Sequence, residues 1–287
     1  MDPILAVVIF IVGLVFGSFL NVCISRIPRG LSVIAPRSFC PNCTRPIAAR
    51  DNIPVISWIL LRRRCRSCGH AISLRYPMVE LLTAILFVAC YASFGQTRMA
   101  LKASILCFLL VGLIFMDAET GLLPAEFTYP GIALGLLLAR TIPVDASGTD
   151  FLMREFGVRS TFSLSATSFL DALIAALFGA AFFFLAWAGY YLVRKRDGVG
   201  FGDIAMMAMV GTLLGLKLTL LVVFLAPVMA SLYALTLFVR PPVPAGEPRP
   251  TSFLVREVPF GVFLGISALI SLFLGQGIWR WYLSLFL

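Results

Sequence analysis

Long apolar runs separated by short polar interruptions set the pattern of this 287-residue chain. A helix needs about 20 mainly apolar residues to cross a bilayer. Runs at roughly 4–24, 78–95, 100–116, 125–140, 168–193, 203–216, 218–239 and 258–286 meet or approach that length, with 203–216 the shortest. The polar interruptions fall at 26–77, 96–99, 117–124, 141–167, 194–202 and 240–257. The expected fold class is therefore all-α: a polytopic membrane helix bundle of about eight transmembrane helices with a small cytoplasmic zinc-binding loop domain. Three parts are expected: a first transmembrane helix at 1–25, a cysteine-bearing loop domain at 26–77 and a transmembrane core at 78–287. The first run does not read as a cleaved signal peptide, because no Lys or Arg precedes it and no A-x-A site closes it.

Composition supports the membrane reading and removes others. Hydrophobic residues make up 60% of the chain and charged residues 13%, with a mean hydropathy of +0.97. Ordinary globular proteins hold about 45–50% apolar residues. These figures exclude a disordered chain, a disulfide-rich secreted module and a basic nucleic-acid-binding domain. The net charge of +9 matters through its location. With the N-terminus outside, the inner loops 26–77, 117–124, 194–202 and 240–257 carry ten, zero, three and three Lys/Arg, which is 16 of the chain's 23. The positive-inside rule then sets both termini outside and loop 26–77 in the cytoplasm.

Four apolar runs carry a G-x-x-x-G pair: Gly13/Gly17, Gly131/Gly135, Gly211/Gly215 and Gly261/Gly265. Small residues one turn apart let helices approach closely in lipid, and these glycines are assigned to packing. Cys23, Cys90 and Cys107 lie in apolar runs and read as small hydrophobes. The other four cysteines form CPNC and, 21 residues later, CRSC. Two such knuckles suit a closed tetrahedral Zn²⁺ site held by Cys40, Cys43, Cys65 and Cys68, with a structural role. Paired disulfides are the alternative, and they need an oxidising compartment that a cytoplasmic loop does not offer. His70 reads as a solvated bystander, and Arg62, Arg63, Arg64 and Arg66 as topology determinants and contacts to anionic lipid.

With a single histidine in the chain, reactions that need several imidazoles are excluded. Carboxylates cost about 2.5–3.5 kcal/mol at mid-bilayer, so acids bordering a span need a reason. Asp117 ends one span and Asp203 begins another, both at the cytoplasmic face in the proposed layout. Two carboxylates that meet share a proton: one takes a proton from water and the other donates to the scissile carbonyl. Gly198, Gly200 and Gly202 leave room for an extended substrate backbone near Asp203. Glu80, Glu119, Glu126, Asp197 and Glu257 read as solvated or paired with Arg, and Asp171 falls at the outer end of its span.

The segments GSFLNVCISRIPRG, CPNC…NIPVISW…CRSCG…RYPMVEL, MDAETGLLP, GVGFGD and VPFGVFL, in that order over about residues 13–265, resemble the type IV prepilin peptidases. That resemblance implies a GxGD-type aspartic protease of the bacterial inner membrane with Asp117 and Asp203 as catalytic pair. It implies prepilins and type II secretion pseudopilins as substrates, cut after a glycine. It further implies methylation of the new N-terminus with S-adenosylmethionine. Two positions depart from the family's pattern: Ala125 stands where relatives carry Asp, and Ala205 where they carry Lys. Alternatives from other classes are a proton-coupled transporter using the two aspartates and a catalytically silent membrane scaffold. Membrane lipids are expected partners, and nucleic acid is not.

Overall fold

The computed structural model describes residues 1–142, 148, 149, 153, 163–195, 200–238 and 259–285. Among these the chain is helical, with no strand and two isolated β-bridges. The helices are α1 (Pro3–Arg26), α2 (Ile56–Leu60), α3 (Arg75–Phe94), α4 (Arg98–Thr120), α5 (Ala125–Thr141), α6 (Leu164–Arg194), α7 (Phe201–Leu214), α8 (Leu216–Phe238) and α9 (Phe260–Leu283). All but α2 correspond to the eight apolar runs. By length and composition α1, α3, α4, α6, α8 and α9 are able to cross a membrane. The remaining two, α5 and α7, have 17 and 14 residues. The rise of α7 is about 21 Å, short of the roughly 30 Å of hydrocarbon in a bilayer.

Starts and stops follow capping chemistry. Asp2 accepts the Ile4 N–H and Pro3 opens α1, where its missing donor is harmless. Thr97 and Ser163 cap α4 and α6 in the same manner. Gly121, with φ +65°, closes α4 in the left-handed conformation that glycine adopts without strain. Gly215, at φ +80°, leaves one residue between α7 and α8. It therefore makes a turn, whereas the sequence pattern assigned it to helix packing.

The other paired glycines do bring helices together. A Cβ on Gly13 would lie 2.5 Å from Ala84 Cα, and one on Gly17 would lie 2.6 Å from Glu80 Cα, so α1 and α3 touch backbone to backbone. Gly131 seats Met209 of α7 against α5, and Gly265 seats Ile114 of α4 against α9. Helix α7 is central: Met206, Met207, Met209 and Val210 are fully buried with Leu110, Leu113 and Met116 of α4 and Leu264 of α9. On the outside, Val7, Val8, Ile11 and Val15 of α1 are exposed, as expected where lipid is the solvent.

At the end remote from Asp117, Asp171 is fully buried and accepts the Thr149 hydroxyl at 2.5 Å and the Leu216 N–H at 3.0 Å. Its carboxylate thereby satisfies the first turn of α8. Loop 240–257, the part of 141–167 that carries no described residue, Gly198, Asp197 and Glu257 lie outside the described residues.

An alanine at position 211 would bring its Cβ to 2.6 Å from the Ala175 carbonyl group. Gly211→Ala should destabilise the bundle by about 1–3 kcal/mol through overpacking, read as a lower thermal midpoint in detergent. Gly277→Ala, with nothing within 4 Å, should leave the midpoint unchanged or raise it. Equal midpoints for the two variants would contradict so close an α6–α7 approach.

Candidate active site and cysteine cluster

Asp117 lies in the last turn of α4 and is 6% exposed. Its Oδ2 accepts the Val262 N–H at 3.0 Å, a bond that spans 145 residues of sequence. The donor belongs to the first turn of α9, where N–H groups have no intrahelical acceptor and favour an anion. Gly261 makes this approach possible: a Cβ there would lie 2.9 Å from Asp117 Oδ2 and 3.0 Å from its Cγ. The run VPFGVFL is visible in the sequence, but its G-x-x-x-G spacing assigns Gly261 to packing. The structure gives it a contact with the carboxylate.

Asp203 is the third residue of α7 and is 7% exposed. Its Oδ2 accepts the N–H of Gly200, the residue that caps the helix, at 3.1 Å. Leu123, from the segment between α4 and α5, joins the two acids. Its Cβ would be 2.7 Å from a Cβ on Gly202, and its Cδ1 would be 2.9 Å from one on Gly261. The starts of α7 and α9 thus close on the end of α4, and Asp117 lies within electrostatic reach of Asp203. The two aspartates singled out by the sequence are brought together, with Gly200 and Gly202 beside them. Neighbouring carboxylates of this kind can divide acid and base roles by sharing a proton.

The two cysteine pairs converge as well. In the first knuckle the Cys40 N–H reaches Arg45 O at 3.0 Å and the Thr44 N–H reaches Cys40 O at 2.9 Å. The second repeats this with Cys65 to His70 at 2.8 Å and Gly69 to Cys65 at 2.9 Å. The fifth residue of each knuckle is left-handed, Thr44 at φ +56° and Gly69 at +72°. One β-bridge closes each unit, Phe39 with Pro46 and Arg64 with Ala71. The four Sγ atoms lie within 4.8 Å of one another, a set able to hold a metal ion. The backbone at His70 holds the Cys68 thiol below its ordinary value, whereas Cys43 in the same cluster is raised. The ring of His70 is not among the clustered ligands.

Buried polar residues secure this loop to the bundle. Arg26 donates to Ser32 O and Arg37 O at 2.9 and 3.4 Å. Next to the loop, Asn21 of α1 donates to Tyr76 O in the first turn of α3 at 3.0 Å and ties the two flanking helices together. Glu80 is neither solvated nor paired with Arg: it is buried in α3 and its Oε2 accepts the Val55 N–H at 2.7 Å. A glutamate one turn inside an apolar run was the available sequence signal, but its partner is a loop backbone 25 residues away. Arg75 Nη1 donates to both carboxylate oxygens of Glu119, at 2.9 and 2.7 Å, so the cysteine loop and the aspartates share one face of the bundle. Glu126 is exposed at the start of α5. Arg66 holds the Asp51 carboxyl below its usual range through a bidentate bond.

Comparison with known proteins is consistent along the chain. A model of the bacterial peptidase A24 N-terminal domain matches residues 11–94, and one of the type IV leader peptidase family matches residues 104–235. A prepilin leader peptidase/N-methyltransferase of Aeromonas hydrophila is 32% identical, over 97% of this chain and 94% of its own length. The protein of that name from Neisseria gonorrhoeae is 31% identical, over 96% and 93%. One from Myxococcus xanthus (strain DK1622) is 41% identical over 74% of this chain, a stretch that is 57% of its own length. No solved structure gives a significant match.

Proposed function

The chain belongs to the type IV leader peptidase family, and from that premise we propose that Asp117 and Asp203 are the catalytic pair of a membrane aspartic endopeptidase. Its substrates are prepilins and type II secretion pseudopilins, trimmed at the cytoplasmic face of the bacterial inner membrane. The observation that carries this reading is that two nearly buried carboxylates sit at one cluster of helix ends packed on Leu123, each bonded to a helix-start N–H. One carboxylate takes a proton from water as the water oxygen attacks the scissile carbonyl, while the other, protonated, donates to the carbonyl oxygen. Collapse of the tetrahedral intermediate returns a proton to the leaving amine. Of the two departures from the family pattern, Ala125 is exposed at the start of α5 and Ala205 is half-buried in α7, and neither bonds to the paired acids.

The absolute orientation, with both termini outside, rests on the basic residues of the cysteine loop. A resident Zn²⁺ held by Cys40, Cys43, Cys65 and Cys68 fits the donor set. Tetrahedral Zn–S bonds of about 2.3 Å set thiolates about 3.8 Å apart, and Cys40 and Cys68 are separated by 3.8 Å. Four protein ligands leave no position for water, so the metal's role is to fold the loop. N-methylation of the new terminus needs S-adenosylmethionine as methyl donor, and no G-x-G-x-x-G dinucleotide segment is present. The freed amine would emerge beside the aspartates and the cysteine loop, which share a face. A pocket formed there spares it a long transfer.

Asp117→Asn and Asp203→Asn should each lower cleavage of a prepilin peptide by at least about 10²-fold while the protein still inserts and folds. Mass spectrometry of the peptide in detergent reads the result. Near-full turnover in either variant would sink the two-aspartate mechanism, and a wild-type chain that never cleaves would favour the silent scaffold. Glu119→Gln should be milder, since its carboxylate is engaged by Arg75.

Gly261→Ala should push Asp117 off its α9 donor, lowering kcat by about 10–100-fold for a displacement near 1 Å. Unchanged kcat would mean that the Val262 bond does not position the acid.

Metal analysis of protein purified without chelator should find close to one zinc per chain. Cys43→Ser should lose the metal and render residues 26–77 sensitive to protease, whereas four thiols oxidised in pairs would exclude the site.

A further inference from the structure

The loop domain carries a second surface that neither catalysis nor the metal uses. Helix α2 is only five residues long and directs apolar groups outward: Ile56, Ile59 and Leu60 are 52%, 61% and 73% exposed, and Ile53 just before it is 45% exposed. An exposed cluster of large aliphatic side chains on a polar loop marks an interaction site. Its place is fixed by two bonds. The Val55 N–H joins Glu80 at 2.7 Å, and Glu80 lies about 7.5 Å along the axis of α3 from its first residue. Trp58 Nε1 donates to Ile72 O at 3.2 Å, just before α3 begins. So the chain at α2 is tied to the start of α3, a helix long and apolar enough to cross a membrane.

Basic residues follow at once. Two consecutive left-handed residues, Arg62 at φ +49° and Arg63 at +61°, reverse the chain directly after α2. Backbone bonds from Arg62 to Ile59 and from Arg63 to Trp58, both 2.9 Å, hold a conformation that arginine otherwise avoids. Arg62, Arg63 and Arg64 are all exposed, and among the described residues none has an acidic partner. Arg63 stacks over the Trp58 ring at 5.8 Å. Arg66 and Arg75, in contrast, are occupied by Asp51 and Glu119. Residues 26–77 contain ten Arg and one acid, a surplus of nine equal to the net charge of the whole chain.

We propose that α2 and Arg62–Arg64 form a binding site for anionic phospholipid, with the aliphatic residues seated among acyl chains and the guanidinium groups on the headgroup phosphates. Arginine stems can lie along apolar surface while their heads stay at the phosphate level. The site would hold the cysteine loop down on the bilayer beside the face that bears Asp117. This inference does not depend on the peptidase reading.

The test uses the full-length, metal-loaded chain in nanodiscs of phosphatidylcholine alone or of phosphatidylcholine mixed with phosphatidylglycerol. Amide hydrogen exchange over residues 53–64 should slow by about tenfold in the mixed discs, given that each basic residue near an anionic surface contributes severalfold. High salt should shrink the difference. The triple variant Arg62→Gln, Arg63→Gln, Arg64→Gln should abolish it while the knuckle amides of Cys40 and Cys65 stay protected, which reports an intact loop. Ile59→Ser with Leu60→Ser should raise exchange in both lipids. Equal wild-type exchange in the two discs would overturn the proposal. So would the same slowing on adding glycerol 3-phosphate to phosphatidylcholine discs, since a soluble headgroup mimic would then replace the bilayer.

Discussion

The last three helices of the bundle each begin on the carboxylate of an aspartate. Asp203 accepts from Gly200 at the start of α7, Asp171 from Leu216 at the start of α8, and Asp117 from Val262 at the start of α9. A helix start leaves N–H groups without partners, and hydrocarbon offers no water to take them. A carboxylate answers that need with charge as well as a lone pair. The same need then disposes the acids. Asp171 closes the face remote from the other two, where it ties α6 to α8 and remains wholly enclosed. Asp117 and Asp203 close the opposite face, where α4, α7 and α9 meet over Leu123. A structural requirement of helices in lipid has thus assembled two neighbouring carboxylates, and the proposed chemistry uses what it assembled.

That arrangement depends on backbone proximity, and glycine supplies it. Gly13 and Gly17 let α1 lie on α3, Gly211 lets α7 lie on α6, and Gly261 lets the start of α9 reach Asp117. In lipid there is no hydrophobic drive to press helices together, so close van der Waals contact must do so. The loop between α1 and α3 faces the reverse problem, since it buries almost none of its apolar residues. Two buried polar side chains hold it instead, Arg26 from α1 and Glu80 from α3, while Asn21 ties α1 to the first turn of α3. The four thiols draw its two knuckles together. Loop and bundle are therefore joined by directional bonds, which fix its height over the face bearing Asp117.

Much of this is written in local sequence, for reasons that differ by feature. Spans are legible because bilayer thickness fixes the length of an apolar run, and all eight runs became helices within a few residues of their expected limits. Asp117 and Asp203 are legible because an acid beside a span is costly and so needs a cause. The cysteines are legible because metal geometry fixes the i, i+3 spacing. What stayed hidden involves partners far along the chain. Nothing near Asp117 announces Val262, and nothing near Glu80 announces Val55. Gly215 and Gly261 share the spacing of packing glycines, yet one makes a turn and the other touches a carboxylate. Spacing identifies a small residue without stating what it makes room for.

Hydrolysis places a final demand on this architecture. A peptide must be extended to be cut, and its unpaired backbone groups are not tolerated in hydrocarbon. Water must arrive as well. Acids that share a proton, however, need partial burial, because full hydration would leave both ionised. Helix ends are where these demands are compatible. At 6% and 7% exposure, Asp117 and Asp203 are almost enclosed yet sit in a terminal turn, one at the end of α4 and one at the start of α7. Helix α7 is short as well: at 14 residues it does not span the hydrocarbon. There Gly200 gives its N–H to Asp203, and Gly202 makes room for Leu123 beside it. A helix of full length would have carried Asp203 out into water or left it deep in lipid, and neither position would pair it with Asp117.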